Sequence, residues 1–383
     1  MVPPDKRKHD MNHDVTMIAI PKSVSEKVLE RHAQRQSDNE SLQAAFSKER
    51  LNWSNIDLVV TGFLVAVHLG CLAAPFFFSW TGLVVCAVFH WLTCSIGICL
   101  GYHRFLSHRS LKLRGPGKFF VLLAGSLSGE GSPLTWAATH RMHHHKSDQP
   151  GDPHSPLESP SWSHMLWLFL QRKPEDQQIL LRTYVPELMD DSMVKFFERT
   201  FAFWLWAQGL ALLGAGWLIG GWQLGVSLLV WGMCVRMVVA YHSTWAVNSA
   251  THLWGYRNYD TRDESRNLWW VALLAYGEGW HNNHHAHPSL APAGHRWWEV
   301  DMTWWAIRGL QAVGLAWDVR DSLPEGRTAN DMTTEQTDPV DDSAARVSNP
   351  DHASAAVPGT IRQSDNHCES GSEASTAAAL RVS

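Results

Sequence analysis

The hydrophobic pattern of the first third of the chain is dominated by two long apolar runs. Residues 58–78 and 82–102 each form an almost uncharged stretch of about 21 residues, which is long enough to cross a bilayer as a helix. The connection between them is short and carries no charge. A soluble protein rarely contains two consecutive runs of this length, so the pattern predicts a transmembrane hairpin.

The same pattern returns later in the chain. Residues 201–219 and 222–241 form a third and a fourth apolar run, which are separated by the turn Gly220-Gly221. The charge of Arg236 lies within the fourth run. Because a charge is costly in lipid, we expect Arg236 near the inner interface or facing the protein interior.

Lysine and arginine residues flank both predicted hairpins, whereas the two connecting turns contain none. The positive-inside rule therefore predicts that both termini and all residues between the hairpins lie in the cytoplasm. The flanking residues are Lys48, Arg50, Arg104, Arg109, Lys112, Arg114, Lys118, Arg199, Arg257, Arg262 and Arg266.

Outside the apolar runs, composition predicts three regions. Residues 1–50 form a polar, mostly disordered arm, residues 51–320 form the membrane domain, and residues 321–383 form a tail that lacks the apolar residues of a core. The 21 tryptophans suit membrane interfaces, where one edge of the ring is wet. A net charge of −5 argues against a nucleic-acid partner.

Histidines recur in a pattern that indicates a metal centre. His140, His143 and His144 stand at i, i+3 and i+4, which share one face of a helix, and imidazole is a common metal ligand. The spacing repeats in the trio His281, His284 and His285. A looser pair, His103 and His108, precedes both trios. Its i, i+5 spacing suits an ideal α-helix poorly, so these two rings are expected to approach a metal from different directions.

The histidines by themselves are also compatible with a membrane zinc enzyme or transporter, or with a non-catalytic metal sensor or scaffold. A catalytic zinc site uses about three protein ligands, which is far fewer than the histidines of these boxes, and the chain has no His-Glu-x-x-His motif. A non-catalytic metal sensor would also use histidines. Metal analysis and oxygen consumption would separate these alternatives.

Four motifs together resemble the histidine boxes of the membrane fatty acyl desaturases. They are His-Arg-Phe-Leu-Ser-His, His-Arg-Met-His-His, Asn-Ser-Ala-Thr-His-Leu-Trp-Gly-Tyr-Arg and Gly-Glu-Gly-Trp-His-Asn-Asn-His-His. The branch that contains stearoyl-CoA desaturase and the bacterial delta-9 desaturases is the most similar, and the resemblance extends over about residues 52–318.

The resemblance implies an all-α integral membrane protein with four transmembrane helices in two hairpins and a cytoplasmic helical cap that holds a di-iron site. It implies an O2-dependent enzyme that introduces a cis double bond, at the delta-9 position, into a saturated acyl chain. A hydroxylase or ketolase of the same superfamily is the alternative within the enzyme class. The implied iron ligands are His103, His108, His140, His143, His144, His252, His281, His284 and His285, with Asn248 acting through a water.

Several further roles are expected around this centre. Glu278 precedes a ligand by three residues and could accept a ring N–H. We expect Ala87 and Trp91, with Ser95, to line a substrate tunnel from the second span. Trp136 and Arg172 complete the candidate tunnel or head-group residues.

The acyl carrier and the electron donor are less constrained. Animal acyl-CoA enzymes carry an Arg-Asp pair immediately before the central box, where this chain has Ala138 and Thr139. The carrier is therefore open between CoA and a membrane lipid, with a slight preference for lipid. The chain lacks the haem motif of a fused cytochrome b5 and a ferredoxin cysteine pattern, so a separate donor, a ferredoxin or a cytochrome b5-like protein with its reductase, is implied. A bacterial inner membrane is the expected location.

Overall fold

A computed structural model describes residues 22–322, so the ends of the predicted arm and tail, residues 1–21 and 323–383, lie outside the described part. The described chain is mainly helical. The α-helices are α1 (Lys22–Ala45), α2 (Leu58–Cys71), α3 (Trp80–His90), α4 (Gly115–Ser128), α5 (Pro133–Lys146), α6 (Pro160–His164), α7 (Pro174–Tyr184), α8 (Ser192–Leu229), α9 (Arg236–Leu253), α10 (Trp269–Leu274), α11 (His281–Ala286) and α12 (Met302–Ala312). Short 3-10 turns cover Lys48–Arg50, Trp53–Asn55 and Leu166–Phe169. One antiparallel ladder joins β1 (Lys112–Leu113) to β2 (Ala316–Trp317).

The first predicted hairpin is helical on both sides of a sharp connection. Asp57 caps α2, because its side chain accepts hydrogen bonds from the amides of Val59 and Val60. The helix ends at Cys71. Pro75 follows four residues later, and in a continued helix its ring would clash with the carbonyl of Cys71. Residues 72–77 form turns, so the regular helix is shorter than the apolar run.

The helix α3 continues without a break into a π-helical segment, Trp91–Ser107, whose hydrogen bonds join residues i and i+5. This segment packs closely against α4. A Cβ added at Gly97 would lie 2.5 Å from the amide nitrogen of Gly125, so only glycine permits this backbone contact. The glycines therefore set how closely α4 approaches the helix that carries His103.

The second hairpin is one helical stretch that turns back on itself. Gly220 and Gly221 leave helical geometry, and Gly221 has φ of +79°, which glycine adopts without strain. Across the turn, a Cβ on Gly216 would lie 2.7 Å from the Cα of Gly225, so the two limbs are in backbone contact. A second π-helical segment, Val230–Val235, joins α8 to α9.

Two continuous helical stretches in residues 22–322 are long and apolar enough to cross a membrane, Trp80–Ser107 and Ser192–Leu253. The helix α2 is apolar but shorter. Within the second stretch, Arg236 is fully buried and donates to the carbonyls of Leu127 and Ser128 and to the Gln208 side chain. The charge thus faces the protein interior, which was one of the two expected positions.

The arm differs from the sequence expectation over its second half. Residues 22–45 form α1, and the side chains of Leu42, Ala45 and Phe46 are buried. They belong to a core cluster that includes residues of α5, α7 and the π-helical segment Trp91–Ser107. Burial of these apolar residues favours order, which the largely polar sequence of the arm did not indicate.

Candidate metal centre

Nine histidines from four parts of the chain converge at the ends of the π-helical segment Trp91–Ser107 and of α9. The end of the π-helical segment provides two, α5 provides three, α9 provides one and α11 provides three. Most of the rings are buried, and those of His140 and His144 are half-buried. The set comprises His103, His108, His140, His143, His144, His252, His281, His284 and His285.

The first group, here called the five-histidine group, has all its candidate ligand atoms within 4.8 Å of one another; it comprises His103, His108, His140, His144 and His284. The Nε2 atoms of His103 and His284 lie 3.0 Å apart. Those of His108 and His140 lie 2.8 Å apart. This convergence of imidazole nitrogens is the arrangement that a metal ion organises.

The second group, here called the four-histidine group, comprises His143, His252, His281 and His285. The Nε2 atoms of His252 and His281 lie 3.1 Å apart. The Nε2 atoms of His143 and His285 are buried and have no hydrogen-bond partner within residues 22–322. Buried polar atoms without partners are costly, and a metal ion would satisfy both.

Each histidine trio is divided between the two groups in the same way. In α5, His140 and His144 join the five-histidine group, whereas His143 points to the four-histidine group. In α11 the i and i+4 histidines join the four-histidine group, and His284 alone joins the other. Each trio therefore contributes ligands to both metal positions. The side chains at i and i+4 point in similar directions, whereas the side chain at i+3 points to the other position.

The spacing of the first pair is explained by the π-helical winding. The amide of His108 donates to the carbonyl of His103 at 3.1 Å, which is an i to i+5 bond. The two ring centroids lie 4.8 Å apart. The ring planes are 85° apart, so the winding brings the two imidazoles together without making them parallel, and their approach to a metal from different directions stays a prediction.

Carboxylates support four of the nine rings. The sequence suggested that Glu278 orients His281, the ligand three residues after it, whereas Glu278 Oε2 lies 2.7 Å from Nδ1 of His103. Three aspartates, which the sequence analysis missed, support the four-histidine group through Nδ1. The pairs are Asp152 with His143 at 2.9 Å, Asp148 with His252 at 2.8 Å and Asp263 with His285 at 2.6 Å. Such partners orient the ring and increase its basicity toward a metal.

The electrostatic environment keeps most of these rings neutral at neutral pH. Burial, followed by neighbouring imidazoles, lowers the pKa of His108, His140 and His284 well below its usual range. His143 is the exception, because Asp152 outweighs the effect of burial and raises its pKa. Despite burial, His103 and Arg104 lower the pKa of Glu278 to about 2. Neutral imidazole is the form that binds metal.

The donor set fits a pair of first-row transition metals. Both groups offer imidazole nitrogens and no thiolate, and imidazole suits iron, zinc, copper and nickel. Five and four ligands per position also exceed the three that a catalytic zinc takes. The residues present therefore fit two metal ions.

Two further candidates lie next to these groups. The ring of Trp136 stacks on His140 at 5.0 Å between centroids and meets His103 edge-on at 6.1 Å. Asn248 is one helical turn before His252 on α9, and Ser163 donates to its backbone carbonyl. Position and spacing are compatible with the roles expected for both residues.

The other candidate substrate residues differ in their burial, and their roles stay predictions. Ala87 is exposed and Trp91 is 44% exposed, whereas Ser95 is fully buried beside Thr303. Ser95 is thus enclosed by the protein, whereas Ala87 and Trp91 lie at its surface. The guanidinium of Arg172 lies 5.3 Å from the centre of the Phe46 ring, so its aromatic contact is with the residue that follows α1 and not with a histidine of the two groups.

Comparison with known proteins agrees with the geometry. Residues 75–319 match the family described as fatty acid desaturase. The chain is similar to the sn-2 palmitoyl-lipid 9-desaturase of Nostoc sp. (strain 36), with 41% identity over 74% of this chain and 97% of that protein. It is 42% identical to the sn-1 stearoyl-lipid 9-desaturase of Anabaena variabilis, over 72% of this chain and 97% of that protein. An acyl-CoA 5-desaturase of Anemone leveillei is 38% identical over 70% of this chain and 81% of its own length.

Proposed function

The chain belongs to the fatty acid desaturase family, and we propose that it uses O2 and two irons to introduce a cis delta-9 double bond into a saturated acyl chain of a membrane lipid. The enzyme is an oxidoreductase of lipid metabolism. The observation that carries the proposal is the division of nine histidines into a group of five and a group of four.

The chemistry explains why such a centre is needed. An unactivated methylene has no acidic proton and no leaving group, so side-chain acid–base catalysis cannot break its C–H bond. Two irons would supply the redox chemistry that splits O2 and removes one hydrogen from each of two neighbouring carbons. The nine histidines would hold the metals, Asn248 would reach one of the two through a water, and the carboxylates would fix the ring tautomers.

Side chains around the centre would position the substrate and limit water. Trp136 lies flat against His140 and presents an apolar ring beside the five-histidine group. The fully buried Ala137 and Ala138 on the same helix add apolar surface. We infer that the reactive carbons of the acyl chain pass along Trp136.

A lipid carrier is supported by two independent observations. Ala138 and Thr139 replace the Arg-Asp pair of the animal acyl-CoA enzymes, and both are buried, so they offer no charge to a CoA phosphate. Two similar relatives, from Nostoc and Anabaena, are lipid-linked 9-desaturases by name. The acyl-CoA 5-desaturase of Anemone leveillei is nearly as similar to this chain, so the carrier needs a direct test.

We propose four membrane spans, with both termini and the histidine groups on the cytoplasmic side of a bacterial inner membrane. The apolar stretches Trp80–Ser107 and Ser192–Leu253, with the turn at Gly220-Gly221, support three of these spans. The apolar α2 and residues 72–78 would form the remaining one. A separate ferredoxin or cytochrome b5-like protein, with its reductase, would supply electrons.

The test is product analysis in a host without its own desaturase. Mass analysis distinguishes loss of two hydrogens, which marks desaturation, from gain of oxygen, which marks a hydroxylase or ketolase. Purified, iron-loaded enzyme with a competent donor should then receive stearoyl phospholipid and stearoyl-CoA separately. Rapid turnover of the CoA ester alone would reject the lipid carrier, and an oxygenated product would reject desaturation.

A further inference from the structure

A tenth histidine, His154, lies beside the four-histidine group and is not one of its members. It is 4% exposed and belongs to the loop between α5 and α6. Its ring stacks on that of His143, with 4.3 Å between the ring centroids and 29° between the ring planes. The ring of Trp167 also packs against His154, at 5.2 Å between centroids. One face of a candidate metal ligand is therefore covered by a buried imidazole.

The backbone of His154 contacts the carboxylate that supports the same ligand. The Oδ1 atom of Asp152 lies 2.9 Å from His143 Nδ1 and accepts a hydrogen bond from the amide of His154 at 3.1 Å. The other oxygen, Oδ2, accepts from the amide of Asp148 at 2.9 Å. His154 thus contacts His143 directly through the face of its ring and indirectly through the carboxylate partner of that ligand.

The loop that carries His154 also supports a second ligand of the four-histidine group. Asp148 Oδ2 lies 2.8 Å from His252 Nδ1. The other oxygen of Asp148 accepts from the hydroxyl of Ser155, which follows His154, at 3.0 Å. Because the amide of Asp148 also donates to Asp152, the two supporting aspartates and His154 belong to one hydrogen-bonded loop. A change at position 154 should therefore act on the four-histidine group.

A metal bound by His154 itself is the competing interpretation. His143, Asp152 and His154 have candidate ligand atoms within 4.8 Å of one another, and His154 Nδ1 is buried without a hydrogen-bond partner within residues 22–322. However, both oxygens of Asp152 already accept hydrogen bonds, and one of these contacts is with His143 Nδ1. A metal at this place would have to displace them. The stacking contact is therefore the role that the geometry supports better.

We propose that His154 is a positioning residue that fixes the tilt of the His143 ring in the four-histidine group. A hydrogen bond at Nδ1 and a metal bond at Nε2 restrain two points of an imidazole, and the ring can still tilt about the line through them. A second ring stacked on its face opposes this tilt, because the stacked faces would have to separate or collide. The inference rests on the proposed function, in which the four-histidine group holds one of two irons.

The test measures the iron affinity of the full-length enzyme by competition with a chelator. In a His284→Ala background, which lacks a ligand of the five-histidine group, the remaining iron reports the four-histidine group. His154→Ala and His154→Gln should weaken the binding of that iron by about tenfold or more, because both remove the stacked ring. His154→Phe keeps a flat ring without a nitrogen, so its affinity should stay within about twofold of that of the background. Unchanged affinity in His154→Ala, or equal weakening in His154→Phe, would overturn the proposal.

Two controls locate the effect. In a His281→Ala background, which retains the five-histidine group, His154→Ala should leave the affinity for the remaining iron unchanged. His145→Ala removes a half-buried histidine of α5 whose ring contacts Tyr184, and it should change the binding of neither iron. If His154→Phe does not fold, Trp167→Ala decides, because it keeps both nitrogens of His154. Weaker iron binding would then support the stack, and unchanged binding would overturn it.

A spectroscopic measurement depends on neither affinity nor turnover. Mössbauer spectra of the ferrous enzyme with both irons bound report the geometry around each iron. His154→Ala should change the quadrupole splitting of one iron, whereas His154→Phe should change that of neither. Identical spectra of His154→Ala and the wild type would overturn the positioning role. A wild-type chain that holds two irons and makes no double bond would instead reject the proposed function, and the results for His154 would stand separately.

Discussion

The five-histidine group and the four-histidine group differ mainly in the charge that surrounds them. In the first, only His103 has a carboxylate partner, Glu278, and the neighbouring Arg104 balances that charge. In the second, three of the four rings contact an aspartate. The four-histidine group therefore has fewer imidazoles but more carboxylates in contact with them.

The difference indicates that the two metal positions are not equivalent. A carboxylate partner strengthens imidazole as a donor, and nearby negative charge favours the more oxidised state of a metal. We therefore expect the four-histidine group to bind its metal tightly in spite of its smaller ligand number. Metal binding at the five-histidine group should depend more on the number of its imidazoles and on how they pack.

The largest expected effect is the loss of one metal. His284→Ala should empty the five-histidine group, and His143→Ala should empty the four-histidine group, because each removes one ligand from one position. Either variant should lose activity while the helices stay folded. Metal analysis should give about two irons per wild-type chain and about one in each variant. A fully active preparation with one zinc and no iron would reject the interpretation.

Removal of a supporting carboxylate should have a smaller, local effect. Asp263→Asn should weaken metal binding at the four-histidine group by about 10- to 100-fold, because His285 loses its charged partner. Glu278→Gln should act on the other group in the same way. Titration with a competing chelator measures both. Equal weakening of the two positions by either variant would contradict the charge difference between them.

Arg104 offers a test of packing beside the five-histidine group. It is 2% exposed and donates to Glu278, Asp301 and the carbonyl of Ala291, which joins the first histidine pair to the residues before α12. Arg104→Gln should cost about 3–5 kcal/mol, because it leaves two buried carboxylates without their cation. Thermal unfolding in detergent provides the measurement.

The control for Arg104 is Arg109→Gln, which removes an exposed arginine paired with Glu187. Exposed ion pairs contribute about 0–1 kcal/mol, so this variant should unfold near the wild-type temperature. If both variants unfold alike, the buried network does not stabilise the first histidine pair.

The smallest effect is expected from the tail. Truncation after Leu323 removes a region outside the described residues whose composition cannot build a core. Both metals and the activity should remain. Loss of iron from either group on truncation would show that the tail contributes to the centre.

The histidines could be recognised from spacing, but their division between two positions could not. A trio at i, i+3 and i+4 is compatible with three ligands on one metal, and the assignment of His143 to a different position from His140 and His144 depends also on the rings that α9 and α11 bring beside them. The supporting aspartates were also missed. Asp148, Asp152 and Asp263 lie in irregular segments, where spacing carries no information about direction.

The sequence by itself determined the long apolar helices, the candidate ligands and the resemblance to the desaturases, because hydrophobic run length and residue chemistry are local properties. Tertiary structure decided what depends on distant partners. The π-helical winding that aligns His103 with His108 is a property of the folded segment, which packs closely on α4. The exposure of Trp91 and the burial of Arg236 likewise follow from contacts between elements far apart in the chain, as do the contacts of the His242 ring with those of His68 and His164.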